Sequence, residues 1–372
     1  MLIIILYFKC LCFNFILHYL FYFLYLFFSF KYINKNSLMG NCCAQGNLIG
    51  DLQSQFLFHN ETTNGASEEK DSKLYSSNPN KYNSNKYSNF IRIIKDQAEI
   101  ISETDFENIL QSQFPNINRL IYPEGTSPPS KNIFEVPPIK FPSGEIYKGN
   151  WDLTNNKRNG FGLSISSDGN TLFKGNWEND KIGDFGLFLE KNGNYYLGQI
   201  KEGKFEGNGE LNIDGISKYK GEFKNDLPEG KGTFEDFENY YKYEGEWNMG
   251  KKSGRGLLEF TDGTKYEGDF KNDLYDGNGI ITFNNGNIYE GEFVEGSIKG
   301  KGKFIWNDGK KYDGDYDDFM KNGSGKFYWN DKKYYEGQWL NNKQHGQGTI
   351  HNEGNEIEGI FRFGKIIKGK KI

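Results

Sequence analysis

The residues best placed for chemistry come early: Met39-Gly40-Asn41-Cys42-Cys43 sets a glycine behind a methionine and two thiols just beyond it. With translation starting at Met39, Gly40 would accept an N-terminal myristoyl amide, and Cys42 and Cys43 would accept palmitoyl thioesters. One myristoyl chain holds a bilayer weakly, and a second acyl chain makes the anchor stable. Ala44 stands where serine or threonine is preferred. No residue set in the chain has the types and spacing that catalysis would need. Four histidines, His18, His59, His345 and His351, are scattered, and His345, just before Gly346, reads as a loop residue. Gly245-Glu246-Trp247-Asn248-Met249-Gly250-Lys251-Lys252 has the outline of a phosphate loop but lacks the serine or threonine that would hold magnesium at 252. Asp313-Gly314-Asp315-Tyr316-Asp317 begins like a calcium loop, yet Asp318 replaces the turn glycine and Ser324 the closing glutamate. We read no catalytic, cofactor-binding or metal-ligating residue, and no enzyme.

Composition narrows the fold. The chain of 372 residues has 46 glycines, only 9 prolines and 17% aromatic residues, with a mean hydropathy of -0.74. Apolar surface is thus concentrated in rings spaced by polar residues, which argues against a doubly wound domain built on Ala, Val and Leu runs. A net charge of -5 and a pI near 5.6 exclude a strongly basic nucleic-acid binder. All four cysteines (Cys10, Cys12, Cys42, Cys43) fall before residue 44, so no disulfide framework or zinc site organises the rest.

A repeat then sets the architecture. Aromatic-x-Gly-x-aromatic opens at Tyr147, Phe173, Tyr196, Tyr219, Tyr243, Tyr266, Tyr289, Tyr312 and Tyr335, at intervals of 26, 23, 23, 24, 23, 23, 23 and 23 residues. A weaker tenth copy starts at Ile357, with Gly359 and Phe361. A Gly-x-Gly follows each opening, as in Gly254/Gly256, Gly277/Gly279 and Gly300/Gly302; the first copy has two extra residues before Gly160/Gly162, and Asp184 replaces the first glycine of the second copy. In Tyr266-Glu267-Gly268-Asp269-Phe270 the rings and the glycine alternate with charges, so they share one face of a strand. Gly277, Gly279, Ile281 and Phe283 keep that period in the second half. Asp262-Gly263, Asn285-Gly286 and Asp308-Gly309 mark two-residue hairpin turns between the halves. The expectation is an all-β repeat array, a long antiparallel hairpin meander over 137–372. Roughly nineteen strands about 4.8 Å apart would extend on the order of 90 Å. Rings flanking each glycine can cover the bare backbone from the neighbouring strand.

These motifs resemble MORN repeats (membrane occupation and recognition nexus). The resemblance implies extended antiparallel sheets that act as scaffolds and partner-binding surfaces. Similar arrays occur beside phosphatidylinositol phosphate kinase and methyltransferase domains. The signature residues, and the candidate partner surface, are Tyr147/Gly149/Trp151, Tyr219/Gly221/Phe223, Tyr243/Gly245/Trp247, Tyr266/Gly268/Phe270, Tyr289/Gly291/Phe293, Tyr312/Gly314/Tyr316 and Tyr335/Gly337/Trp339. Their role as fold-holding core competes with binding and is favoured for most. On the other face, acids recur at Glu244/Glu246, Glu267/Asp269, Glu290/Glu292 and Asp313/Asp315, with cross-strand pairing to Lys231, Arg255 and Lys301 expected. From residue 143 onward, 33 lysines and arginines face 38 acids, a poor match for anionic head groups.

Before the array, composition separates three zones. Residues 1–38 are hydrophobic, and the uncharged stretch Cys10 to Phe30 is long enough for a transmembrane helix. The alternative is that 1–38 is untranslated sequence upstream of Met39. Residues 39–89 are polar, of low complexity and read as disordered. Residues 90–136 hold two short amphipathic helices. One is at Phe90-Ile91-Arg92-Ile93-Ile94, continuing to Ala98 and Ile101; the other opens with a capping box at Thr104-Asp105-Phe106-Glu107. A proline-rich linker that includes Pro137 and Pro138 follows. The helices are expected to pack as a cap on the first hairpins.

The functional expectation is a membrane-tethered, non-enzymatic scaffold for partner proteins, membrane-associated with the array facing the cytoplasm. Homodimerisation through open sheet edges is compatible with it. The alternative function is a phosphoinositide- or phospholipid-binding module, or a regulatory partner of a phosphatidylinositol phosphate kinase. Mass spectrometry of the mature N-terminus separates the two anchors: an acylated Gly40 selects the lipid anchor, and any peptide from 1–38 selects the span.

Overall fold

The computed structural model describes residues 84–94, 97–120 and 133–372. The hydrophobic segment, the anchor residues Gly40, Cys42 and Cys43, and His18 and His59 lie outside the described residues. Among the described residues, no helix is long and apolar enough to cross a membrane.

The array is one open 22-stranded antiparallel sheet. It begins with β1 (Glu99–Ile100), β2 (Ile133–Lys140) and β3 (Ile146–Asp152), runs in chain order, and ends at β22 (Lys365–Lys371). Each strand pairs with its sequence neighbours, so β1 and β22 are the two edges. Ten hairpins result, from β3 with β4 (Lys157–Ile165) to β21 (Asn355–Arg362) with β22.

One geometric device recurs. In β13 (Lys265–Lys271) and β14 (Leu274–Thr282), Gly268 sits opposite Gly279, and the Tyr266 ring lies over both. A Cβ on Gly268 would stand 2.5 Å from Gly279 Cα and 2.6 Å from both the Asn278 carbonyl oxygen and Tyr266 Oη. Such glycines form an unbroken row, one from every strand, from Gly149 in β3 to Gly369 in β22. Just past Gly268 the register skips to Phe270–Tyr275, so Asp269 opposes a bulge. The Tyr266 hydroxyl donates to the Asp269 carbonyl there, at 2.8 Å. Seven other repeats make the same bond, at 2.7–3.2 Å. Phe173 and Ile357 have no hydroxyl to give.

The turns correct the sequence reading. Asp262-Gly263, Asn285-Gly286 and Asp308-Gly309 join one repeat to the next rather than the halves of one. At the first, Gly263 N donates to the Phe260 carbonyl (3.0 Å) and Phe260 N to the Thr264 carbonyl (2.9 Å). Only Gly263 of the loop has positive φ, as in a three-residue loop closed by a left-handed glycine. The two-residue turns with both φ positive lie within the repeats, as at Asn272 (φ 50°) and Asp273 (φ 70°). Asp273 is preferred to glycine here for a reason. Its backbone N donates to the Lys252 carbonyl (3.0 Å) and its carboxylate accepts from Lys252 N (2.9 Å). That reciprocal pair locks the turn onto the preceding repeat, and it recurs at Asp180, Asp226 and Asn342, whereas Gly250, Gly296 and Phe319 keep only the backbone bond. The two extra residues of the first copy lengthen its own turn, between Asp152 and Lys157.

Three further readings shift. The helix α1 (Ser84–Ile94) stops short of Ala98 and Ile101, because Glu99 and Ile100 instead pair with Lys140 and Ile139 at the sheet edge. Ser102, not Thr104, caps α2 (Glu103–Gln113), accepting from Asp105 N at 3.0 Å. Pro137 and Pro138 belong to β2, not to a linker. They fit because the register with β3 breaks between Val136 and Ile139, where no ladder donor is needed. The two helices do pack on the first hairpins.

Tyr266→Phe should lower stability by about 1 kcal/mol, the usual worth of one such hydrogen bond. Gly268→Ala should cost about 3 kcal/mol, because its methyl meets backbone that cannot retreat. Urea unfolding measures both, and equal losses would refute the close-approach account.

Candidate interaction surfaces

The sheet has two faces of different character. On one, the signature rings meet edge to face in a zigzag: Tyr243–Trp247 (5.2 Å), Tyr243–Phe270 (5.1 Å), Tyr266–Phe270 (5.1 Å), Tyr266–Phe293 (5.3 Å), and onward to Tyr335–Phe361 (5.0 Å). Interplanar angles near 90° place a positive ring edge on a negative ring face. Every first ring thus touches the second ring of its own repeat and that of the next. Ile200 interrupts the zigzag in the third repeat, and Phe205 fills the gap by stacking on Tyr196 at 3.5 Å.

Of the candidate partner surface, Tyr147, Tyr219, Tyr243, Tyr266, Tyr289, Tyr312 and Tyr335 are at most 2% exposed. Their ring partners Trp151, Phe223, Trp247, Phe270, Phe293, Tyr316 and Trp339 are also buried. The seven signature glycines lie beneath them. Gly149, Gly221, Gly245, Gly268, Gly291, Gly314 and Gly337 face Gly162, Gly232, Gly256, Gly279, Gly302, Gly325 and Gly348 across their hairpins. Each is roofed by the tyrosine two residues before it. Rings and glycines alike therefore lie in the core, because the rings cover the glycines and one another. The sequence brought the right residues together, and burial gives them their role.

The opposite face carries the charges. The acid at the fourth position of each repeat is structural: Asp269 accepts from Asn278 N (3.0 Å), Glu292 from Lys301 N (3.2 Å) and Asp315 from Ser324 N (2.8 Å). Gln199 and Gln338 do the same with a neutral oxygen. An acceptor recurs at this position from Asn150 to Gln338, the signal from which the role was readable. The anticipated cross-strand pairing is partial. Lys301 reaches Asp315 (2.5 Å) and Arg255 lies 3.9 Å from Asp269, whereas Lys231 faces Glu246 in register without an ion pair. His345 lies within β20 (Lys343–Asn352), not in a loop; its ring meets the Phe363 edge at 5.2 Å.

Over the first three repeats the charged face is covered. Phe106, Leu110 and Phe114 of the α2 segment join Ile146, Ile165, Leu172, Leu187 and Leu189 in a second core. Lys148 bonds Glu103 at 2.6 Å beside it. α1 closes the ring face instead, with Phe90 edge-on to Phe134 (5.5 Å) and Trp151 (5.8 Å).

Two cations held among the rings, Lys252 and Lys321, were not legible in the sequence. Opposite the fifth position of the repeat stands a core-filling residue: Phe205, Tyr275 and Ile298 in three copies, Lys252 in the fifth and Lys321 in the eighth. Lys321 Nζ lies 5.0–5.3 Å from the ring centres of Trp306, Tyr312, Phe327 and Trp339 and, among the described residues, has no carboxylate partner. Burial pushes its pKa down from 10.5 to about 8, and the ring faces offset part of that loss. The repeat tyrosines move the other way: burial holds their hydroxyls protonated, Tyr335 up to about 12. Between pH 8 and about 10 the unfolded lysine keeps a proton that the folded one releases, so stability rises. Above that, unfolded tyrosines ionise first and stability falls. Lys321→Met should gain about 1–2 kcal/mol at pH 7 and lose the rise between pH 8 and 10 in urea titrations. An unchanged profile would mean that the amine titrates normally.

The MORN repeat family model matches residues 147–171, 196–212, 219–236, 243–265, 266–288, 289–311, 312–333 and 335–352. The second copy, with Phe173 and Asp184, and the tenth, with Ile357, fall outside those matches; both lack the tyrosine hydroxyl. No curated protein matches the chain. Among solved structures it is similar to the TCP10 domain of Danio rerio CPAP in complex with a STIL peptide, at 13% identity over 64% of this chain and 99% of that one, TM-score 0.30. It is also similar to the SAS-4 (dCPAP) TCP domain of Drosophila melanogaster with a proline-rich motif of Ana2, at 15% identity over 59% and 99%, TM-score 0.24. MORN repeats are membrane, lipid or protein interaction modules, often membrane-associated. With eight matched copies and the paired-glycine device running through all ten hairpins, the chain belongs to the MORN repeat family.

Proposed function

We propose that the chain is a membrane-tethered, non-enzymatic scaffold. Its N-terminal segment holds it at a bilayer, and the charged face of the array presents binding positions to partner proteins. The observation that carries this reading is the burial of the ring rows. Signature rings engaged with one another offer no free face to a partner, which favours the opposite face as the binding surface. The excess of acids over bases across the array opposes direct adsorption to anionic lipid, so membrane contact is assigned to the N-terminal segment.

A photo-crosslinking residue at Thr233 or Asn278, on the charged face, should capture discrete proteins in cells. The same residue at the buried Phe270 should capture none. Cell fractionation of a chain lacking residues 1–89 should move it from the membrane to the soluble fraction. Retention on membranes after that deletion would shift the reading toward lipid binding by the array.

A further inference from the structure

The charged face carries a continuous row of side chains, one per strand, because each strand places one residue opposite the next. In the first three repeats that row reads Lys148, Leu163, Lys174, Leu187, Leu197. α2 seats on it. Leu163, Leu187 and Leu197 pack into the core built on Phe106, Leu110 and Phe114, and Glu103 and Glu107 stand 2.6 and 4.0 Å from the Lys148 ammonium. The occupant is thus an amphipathic helix whose charge is opposite to that of the row.

The same row in repeats five to seven reads Glu244, Leu257, Glu267, Ile280, Glu290. Polar and apolar residues alternate as they do from Lys148 to Leu187, but the sign is reversed. Among the described residues no element covers it: Ile280 is 40% exposed, and none of the three carboxylates makes an ion pair or hydrogen bond. The nearest cations are otherwise placed. Lys265 pairs with Glu259 at 2.5 Å, Lys242 also stands opposite Glu259, Arg255 leans to Asp269, and Lys303 ends the acidic stretch directly opposite Glu290.

We propose that this row seats a basic amphipathic helix supplied by a partner protein. Strands about 4.8 Å apart put alternate glutamates about 10 Å apart, close to the two-turn rise of about 10.5 Å over a heptad. A helix laid across the strands therefore meets Glu244, Glu267 and Glu290 with cations at heptad spacing. Apolar residues three or four positions on meet Leu257 and Ile280. A second copy of α2 is excluded as occupant because its Glu103, Asp105 and Glu107 would repel the row, and an anionic bilayer is excluded for the same reason. This inference rests on the scaffold reading and names the chemistry of one partner.

The test uses the full chain and a fluorescent synthetic helix of about 18 residues, with lysines at heptad spacing and leucines between. A matched peptide carries glutamates instead. By anisotropy, the basic peptide should bind the native chain and weaken at least about tenfold, near 1.4 kcal/mol, in Glu244→Lys/Glu267→Lys/Glu290→Lys. The acidic peptide should bind only that variant. Ile280→Ser, at unchanged charge, should weaken the basic peptide several-fold, and circular dichroism checks that each variant is folded. Equal binding to native and reversed chains, indifference to Ile280→Ser, or no binding at all would overturn the inference. The scaffold reading stands or falls separately, on whether crosslinkers at Thr233 and Asn278 capture proteins in cells.

Discussion

A tyrosine ring laid flat across two facing glycines is the contact on which this molecule depends. A single-layer sheet has no second layer to bury its apolar side, so the rings must shield one another and the backbone. They lie low enough to do so only where the strands offer no Cβ. The hydroxyl then reaches a carbonyl at the bulge, so one side chain covers backbone, joins the ring zigzag and satisfies a polar group. Repeats that lack the hydroxyl keep the covering but lose the anchor, as Phe173 does.

The bulge follows from the same constraint. The first glycine of each Gly-x-Gly takes a left-handed conformation, for example Gly277 at φ 110°, and an acid or amide from the neighbouring strand closes the loop it opens. Glu222, Asp269, Glu292 and Asp315 are thereby committed to the backbone. The residues at the second position of each repeat make no such bond to the bulge and differ in sign along the array. They are lysines at the start and glutamates in the middle.

Much of this was legible in the sequence because strand periodicity is strict: rings, glycines and charges fall on the faces that alternation assigns them. The ten hairpins follow from Tyr266-x-Gly268-x-Phe270 and its copies. What the sequence hid was set by register and by distant contact. Asp262-Gly263 reads as a two-residue turn, but pairing with the neighbouring repeats makes it a three-residue loop. The need for a carboxylate at Asp273 arises only once Lys252 lies beside it. Gly221, Gly291 and Gly337 read equally well as part of a partner surface until the facing glycine and the roofing ring are placed. Pro137 and Pro138 read as a linker because their place at a register break depends on the β3 partner. Lys321, like Lys252, sits where other copies place phenylalanine, tyrosine or isoleucine, and periodicity alone cannot say that an ammonium will be tolerated among rings.

The two edges of the sheet are built differently. At one, helices lie on both faces and clamp the first hairpins. At the other, Lys365 to Lys371 are exposed along their length, and Ile357 supplies no phenol to the last glycine pair. Because each repeat leans only on its neighbours, opening is graded and directional. Force applied at β22 would peel the array one hairpin at a time, whereas the same force at the first strands would have to dislodge two helices before any strand yields.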